Sequence, residues 1–332
     1  MDKLSLKNKS ILVTGGAGFI GSHLVDRIAV ESPARVVVVD NLSLGKPSNL
    51  DAAKSALGEA ITCHWTDASD IEVMRRIIRE AGVEVVYDLA VIPLPASLEK
   101  PLETVMENVR LTTALCELQR ERAFQTMVHF SSSEAYGTAV FVPITEDHPL
   151  RQSTPYAASK MAGDMVALSY QHTFGLDLTV LRPFNNFGPR QNEGNFAGII
   201  PIVVQRVQQG LPVIINGDGL QTRDYLYVTD TANAAVRMYE EPATRGRVIN
   251  IGTGVELTVI DLVACILETM GCPDHPVQHG PDRPGDVRRH MAGTKAAEEI
   301  FGFKPEVSLR EGMKRTVEWY LSQSVNAGSV SC

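Results

Sequence analysis

Two groups of residues carry spacings that could do chemistry. Tyr156 and Lys160 stand four apart in a stretch, 155–174, of helical periodicity, so their side chains project from one helix face. A free phenol titrates near pH ~10 and is no base at neutral pH. A neighbouring ammonium stabilises the phenolate and lowers that value, which makes Tyr156 a candidate general base. Glu134, directly after the three serines Ser131, Ser132 and Ser133, is a candidate acid or base. The second group is Gly15-Gly16-Ala17-Gly18-Phe19-Ile20-Gly21. Gly15 permits a tight turn, Gly18 lets backbone approach a pyrophosphate, and Gly21 allows close helix–strand contact. The helix that follows turns free N–H groups and a partial positive charge toward an anion. Asp40 closes the next strand nineteen residues after Gly21. A carboxylate there accepts hydrogen bonds from ribose hydroxyls and repels a 2′-phosphate, so NAD is expected rather than NADP. Arg35 lies on the wrong side of the strand to rescue such a phosphate.

The elements that position these residues alternate. Residues 10–14 (SILVT) and 35–39 (RVVVV) are apolar, β-branched runs, and the apolar residues of 20–31 recur at helical spacing. Strand, glycine turn, helix and strand make a βαβ unit and imply a parallel sheet. The pattern continues with a helix at 71–81, a strand at 83–89 and a helix at 101–122. A strand at 126–130, the helix at 155–174 and a strand at 178–181 complete it. Strands apolar throughout are those of a sheet covered on both faces. From Pro183 the texture turns to Gly, Pro and Asn. Helices are expected at 200–209, 259–270 and 309–322, with strands at 212–215 and 247–251. The fold class is therefore α/β: a Rossmann-type doubly wound parallel sheet with a smaller C-terminal α/β substrate-binding cap. The boundaries are 1–182 for the NAD-binding domain, with 229–251 returning to it, and 183–228 with 252–322 for the cap. A frayed tail is expected over 323–332.

Composition narrows the partners. Across 332 residues, Lys+Arg 31 against Asp+Glu 39 leaves a formal net charge of -8. Such an acidic chain with no basic run is ill suited to nucleic acid or an anionic membrane. No apolar run approaches the roughly 18 residues of a membrane span. The N-terminus carries no h-region or cleavage site, so a cytoplasmic protein is expected. The five cysteines are scattered, with no C-x-x-C pair and no His at ligand spacing. Neither a disulfide framework nor a metal site is suggested, and buried or incidental thiols are expected.

The stretch VTGGAGFIGSHL (13–24), with its G-x-x-G-x-x-G spacing, resembles the extended short-chain dehydrogenase/reductases, in their NAD-dependent epimerase/dehydratase family. The resemblance spans about 10–320. It implies a cofactor-binding set of Gly15, Gly18, Phe19, Ile20, Gly21, Asp40, Asn41, Asp67, Ala68, Leu89, Ala90, Tyr156 and Lys160, with Asp67 on the adenine edge. Val91 departs from the usual Leu-Ala-Ala, and Asp88 stands where many relatives carry His. By motif alignment Ser132 hydrogen-bonds the substrate hydroxyl. The segment SSSEAYG (131–137) resembles nucleotide-sugar 4-epimerases, 4,6-dehydratases and uridine diphosphate-glucuronate decarboxylases, all of which first oxidise C4. Simple epimerases usually have small or neutral residues where this chain has Ser133-Glu134. In a dehydratase Glu134 would take the acidified C5 proton, with Ser133 at the position of the acid for the departing water. Ser133-Glu134 is equally compatible with a decarboxylase. Asn185, Arg190, Arg223, Arg283 and Asp286 lie in motifs that resemble the family's sugar-nucleotide site. Asn185, Arg223 and Arg283 would meet the diphosphate, Asp286 the ribose, and 187–190, ending in the substrate-site residue Arg190, shape the turn into the cap.

The expected function is an NAD-dependent nucleotide-hexose 4,6-dehydratase acting on a nucleotide-diphosphate sugar. Its catalytic residues are Ser132, Ser133, Glu134, Tyr156 and Lys160. The alternatives are a 4-epimerase or decarboxylase sharing the first step, and a non-catalytic NAD-sensing regulator on the same fold. By analogy, helices 101–122 and 155–174 pair two copies into a homodimer.

Overall fold

The computed structural model describes residues 3–323. In chain order, β1 (Ser10–Thr14), α1 (Phe19–Ala29), β2 (Arg35–Asp40), α2 (Asp51–Leu57), β3 (Ile61–Trp65), α3 (Ile71–Ala81) and β4 (Val85–Asp88) come first. Then follow α4 (Leu94–Glu99), α5 (Pro101–Arg120), β5 (Thr126–Phe130), α6 (Pro155–Phe174) and β6 (Asp177–Pro183). The second half holds β7 (Asn185–Phe187), α7 (Ile199–Gln208), β8 (Val213–Asn216), β9 (Thr222–Arg223), β10 (Tyr225–Tyr227) and α8 (Val228–Glu240). Last come β11 (Val248–Ile251), β12 (Leu257–Thr258), α9 (Val259–Thr269), β13 (Val277–Gly280), α10 (Lys295–Phe301) and α11 (Leu309–Gln323).

Seven strands form one sheet in the order β11-β6-β5-β4-β1-β2-β3. Every neighbouring pair is parallel. Chain order reverses between β1 and β4, which opens a crevice at the carboxyl ends of those strands. The helix limits follow from local chemistry. Thr154 caps α6 by accepting from the Ala157 N–H, Pro155 fits its first turn, and Gly175 ends it in the left-handed region. Asp70 and Gly82 bound α3 in the same way.

One face of the sheet buries Leu24, Val25 and Ile28 of α1 against Ala235, Val236 and Tyr239 of α8. The other buries Met74, Leu111, Leu115, Leu118 and Ala167 from α3, α5 and α6. On α5 and α6, Leu102, Met106 and Met165 stay exposed. A third core, with Phe187, Ile200, Val204, Leu262, Ile266 and Met313, gathers β7, α7, α9 and α11 around three two-stranded pieces.

Four sequence expectations need correction or comment. Strand β3 and helices α2, α8 and α10 had no counterpart among the expected elements. Ala297 and Phe301 of α10, with Phe303, join the core of the main sheet, so this part of 252–322 packs outside the cap. Cys63, Cys116 and Cys265 are free, but Cys272 is disulfide-bonded, so incidental thiols do not describe every cysteine. The expected frayed tail lies outside the described residues except for Gln323, which ends α11. Among the described residues no helix is long and apolar enough to cross a membrane.

Candidate active site

Two cavities open along the crevice. The first, about 360 Å³, is lined by Gly15, Gly18, Phe19, Ile20 and Gly21 at the start of α1, and by Asp40 and Asn41 after β2. Asp67, Ala68, Leu89 and Ala90 line it from the ends of β3 and β4, and Tyr156 and Lys160 from α6. All thirteen residues expected at the cofactor thus meet in one space. Gly15 has φ 64°, a left-handed turn that L side chains rarely adopt. A Cβ on Gly21 would sit 2.2 Å from the Gly15 carbonyl oxygen, and no rotamer relieves a clash with backbone. Gly21→Ala is therefore expected to cost at least about 1–3 kcal/mol of stability, as overpacking does. It is also expected to weaken NAD at least about tenfold. A thermal melt and an NAD titration check both.

NAD fits this cavity on observations beyond the motif. The first turn of α1 has no acidic residue, and its N-cap, Gly18, offers no side chain to the helix N–H groups. The Asp40 carboxylate braces the turn, accepting from Ala17 N at 3.0 Å and Leu42 N at 2.8 Å. Each of its oxygens keeps a lone pair for a ribose hydroxyl. Burial pushes Asp40 above the usual carboxylate range, and hydrogen bonds from the Leu42, Ala17 and Gly18 backbone work against that. Lys160 is the only cation among the described lining residues, against Asp40, Asp67, Glu103 and Glu107, an environment hostile to an added phosphate.

The second cavity, about 450 Å³, is lined by Ser132, Ser133, Glu134, Asn185, Arg223, Arg283 and Asp286. It shares Phe19, Ile20, Pro93, Ser131, Tyr156, Pro183 and Asn192 with the first. Arg223 lies on β9 and is nearly buried. It donates to the Thr222 and Val287 carbonyls at 2.8 and 2.7 Å and to Asp286 Oδ1 at 2.5 Å. The loop bearing Arg283 and Asp286 is tied to the start of α6 through Ser153 Oγ, which donates to the Gly285 carbonyl at 2.8 Å. Gly285 has φ 71°, and a Cβ there would lie 2.8 Å from the Ser153 carbonyl oxygen. The buried Oδ1 of Asn185 and Oε1 of Gln191 have no hydrogen-bond partner among the described residues. Such orphans are what a polar ligand satisfies.

Arg190 does not join this set. Its guanidinium pairs with Asp26 of α1 at 2.7 Å, and it lines neither cavity. Its φ of 66° turns the chain there, so the expected substrate contact becomes a brace between α1 and the β7 loop. The sequence reading also missed Pro93, Leu94 and Pro95, and the loop carrying Gln191, Asn192 and Phe196, all of which line the second cavity. Only the polar, Gly-rich run QNEGN hinted at that loop.

At the junction, Tyr156 and Lys160 occupy successive turns of α6, and Lys160 Nζ donates to the Phe130 carbonyl at the end of β5. Burial pushes Lys160 below its ordinary value, with Asp88 and Asp164 opposing. The Tyr156 phenol is pushed up to about 12 by burial, with the Ser132 hydroxyl pulling it down and the Glu134 and Asp164 carboxylates raising it further. The expected lowering is therefore absent from the chain by itself, because burial and two carboxylates outweigh the hydroxyl. Ser132 also caps a short 3₁₀ turn, its Oγ accepting from Glu134 N at 3.2 Å. That turn projects half-buried Glu134 into the second cavity. Burial pushes its carboxyl up, Arg223 pulls it down, Asp286 raises it and Arg283 lowers it. A carboxyl raised in this way can take a proton and return it.

Comparison with known proteins agrees with this geometry. The model of the NAD dependent epimerase/dehydratase family matches residues 11–252. The UDP-glucose 4-epimerase of Mycolicibacterium smegmatis is 37% identical over 94% of this chain and 99% of its own length. A dTDP-glucose 4,6-dehydratase of Streptomyces griseus is 35% identical, with 93% of each chain covered. Among solved structures, the dTDP-glucose 4,6-dehydratase DesIV of Streptomyces venezuelae, with NAD and TYD bound, superposes with a TM-score of 0.89. That match has 30% identity and covers 97% of this chain and 100% of the other.

Proposed function

Because the chain belongs to the NAD-dependent epimerase/dehydratase family of nucleotide-sugar enzymes, we propose that it is a nucleoside-diphosphate-hexose 4,6-dehydratase. The observation that carries this reading is Glu134, a carboxyl raised by burial that shares the second cavity with Ser132, Ser133 and Tyr156. A 4-epimerase needs no acid or base at C5, whereas an elimination across C5 and C6 needs one.

Gly15, Gly18, Gly21, Asp40, Asp67, Tyr156 and Lys160 would hold NAD. When bound, it supplies a reversible hydride acceptor beside the sugar. Tyr156 takes the O4 proton as C4 becomes a ketone, and Ser132 hydrogen-bonds the same oxygen. The ketone acidifies C5–H, and Glu134 removes that proton. The C6 hydroxyl leaves as water on protonation by Glu134 or Ser133, and hydride returned at C6 with a proton at C5 completes a 4-keto-6-deoxy sugar. Atoms balance as one water lost and no net oxidation. Asn185, Arg223 and Arg283 would hold the diphosphate and Asp286 the nucleotide's ribose. The exposed Leu102, Met106 and Met165 support a homodimer through α5 and α6, checked by molecular mass in solution.

A second reading, a 4-epimerase, is favoured by the 37% identity to the Mycolicibacterium smegmatis enzyme. It would use Tyr156, Lys160 and Ser132 alone. A panel of UDP-, dTDP- and GDP-hexoses and UDP-glucuronate, followed by mass, separates the readings. Loss of water is expected. No mass change with a new 4-epimer would replace the dehydratase by an epimerase, and loss of carbon dioxide by a decarboxylase.

A further inference from the structure

Behind the junction of the two cavities runs a line of charged side chains that no mechanistic step above uses. Asp88, at the end of β4, accepts from Thr14 Oγ1 at 3.1 Å through Oδ1 and faces His129 Nδ1 at 2.8 Å through Oδ2. The other ring nitrogen of His129, on β5, lies 3.4 Å from Asp164 Oδ1. Asp164, one turn beyond Lys160 on α6, accepts from Ser131 Oγ at 2.6 Å and from Arg182 of β6 at 2.5 Å through Oδ2. His129, Asp88, Asp164 and Arg182 are all essentially buried.

The line touches both cavities. Thr14 Oγ1 also accepts from the N–H groups of Leu89 and Ala90, at 3.0 and 3.1 Å, and so fixes part of the first cavity's wall. At the other end Ser131 precedes Ser132, and Lys160 lies within electrostatic range of Asp88 and Asp164.

A neutral imidazole has one N–H, yet both ring nitrogens face carboxylate oxygens. His129 Nε2 and Asp164 Oδ1 are each buried without a hydrogen-bond partner among the described residues, 3.4 Å from one another. A single added proton satisfies both atoms, whereas a neutral ring leaves a buried acceptor unmet at a cost. We propose that His129 is a buried imidazolium clamping Asp88 to Asp164, and a positioning residue that holds the cofactor wall, Lys160 and the serine strand in one register. The charges facing it are Asp88 from β4, Asp164 and Lys160 from α6 and Arg182 from β6, with Thr112 and Cys116 facing Asp88 from α5. Two carboxylates, a guanidinium, an ammonium and the imidazolium leave one net positive charge, the sign that a phenolate at Tyr156 needs. Burial alone pushes His129 down, but the facing Asp164 and Asp88 carboxylates hold it above its ordinary value.

The part concerning Lys160 and Tyr156 rests on the function proposed above. The charge of the ring does not, so the two can fail separately. In the unmutated chain, nitrogen NMR of the histidine rings at pH ~8 is expected to find both His129 nitrogens protonated, where a free imidazole is mostly neutral. A single protonated nitrogen overturns the proposal, whatever the substrate panel yields. With the substrate that panel identifies, His129→Gln is expected to move the rising limb of the kcat–pH profile up by about one unit. That is a loss of about tenfold at neutral pH, with KM within about twofold. An unmoved profile overturns the positioning role. Should His129→Gln not fold, Asp88→Asn serves in its place: the second ring proton of His129 should then leave at lower pH, and an unchanged ring titration overturns the clamp.

Discussion

Tyr156→Phe is expected to lower kcat by about 10²–10⁴-fold, the range for loss of a positioned acid–base group, while KM and the melting temperature stay close to those of the unmutated chain. The phenyl ring keeps its place on α6, and only the hydroxyl that meets Ser132 disappears. The buried phenol, pushed up to about 12 in the chain alone, also sets the pH dependence. Activity should rise with pH as the phenolate becomes populated, with a midpoint well below that value once positive charge sits beside it. Steady-state kinetics across pH checks both statements. Full activity in Tyr156→Phe would remove the site from the chemistry altogether.

Glu134→Gln is expected to separate the two halves of the reaction. Loss of water, read by mass, should fall by about 10²–10⁴-fold, and exchange of the C5 proton with deuterated water should stop. Oxidation at C4 needs only Tyr156, Lys160 and Ser132, so C4-deuterated substrate should still show scrambling or epimerisation. Dehydration at an undiminished rate would sink the role assigned to Glu134. Stability should move the other way. A carboxyl whose folded-state pKa is raised holds its proton more tightly when folded. Its stabilising contribution is full below the unfolded value, about 4.3, and is lost as pH rises through the folded one. Above its folded-state value the ionised Glu134 therefore works against folding, and there Glu134→Gln should melt no lower than the unmutated chain. Activity lost without stability lost is the mark of a functional group held at a cost.

Much of this arrangement was legible because local signals coincide with tertiary ones. The limits of α6 agree with the expected 155–174, since its apolar period ends where Thr154 and Gly175 cap the helix. Strand β3 was missed because it lies at the sheet edge with no buried residue, and so has no apolar run to read. Helix α8 mixes Ala232, Ala234 and Ala235 with Val236, Met238 and Tyr239 on its buried face, and the alanines and polar residues between them blur its apolar period. Of the thirteen cofactor-cavity residues, the glycine motif, Asp40 and the Tyr156/Lys160 pair are legible from spacing, and Asp67, Ala68, Leu89 and Ala90 from the family resemblance; the topology brings them all to a common edge. An arginine in a matching motif says nothing of its nearest carboxylate, and in this structure Arg190 pairs with Asp26 of α1. The His129 line had no sequence signature. Asp88, His129, Asp164 and Arg182 come from three strands and a helix, and only the sheet order makes them neighbours.

The tether between Ser153 and Gly285 has a consequence for how binding energy is used. The loop that carries Arg283 and Asp286 is fastened to the residue before the cap of α6, two positions ahead of Pro155 and three ahead of Tyr156. On the proposed function, seating the nucleotide end on Arg283 and Asp286 would also bear on the start of the helix that presents the phenol. Contacts far from the reacting carbons then act on turnover as well as on affinity. On that proposal a sugar phosphate stripped of its nucleoside would lose more than grip, and should turn over slowly even at saturation.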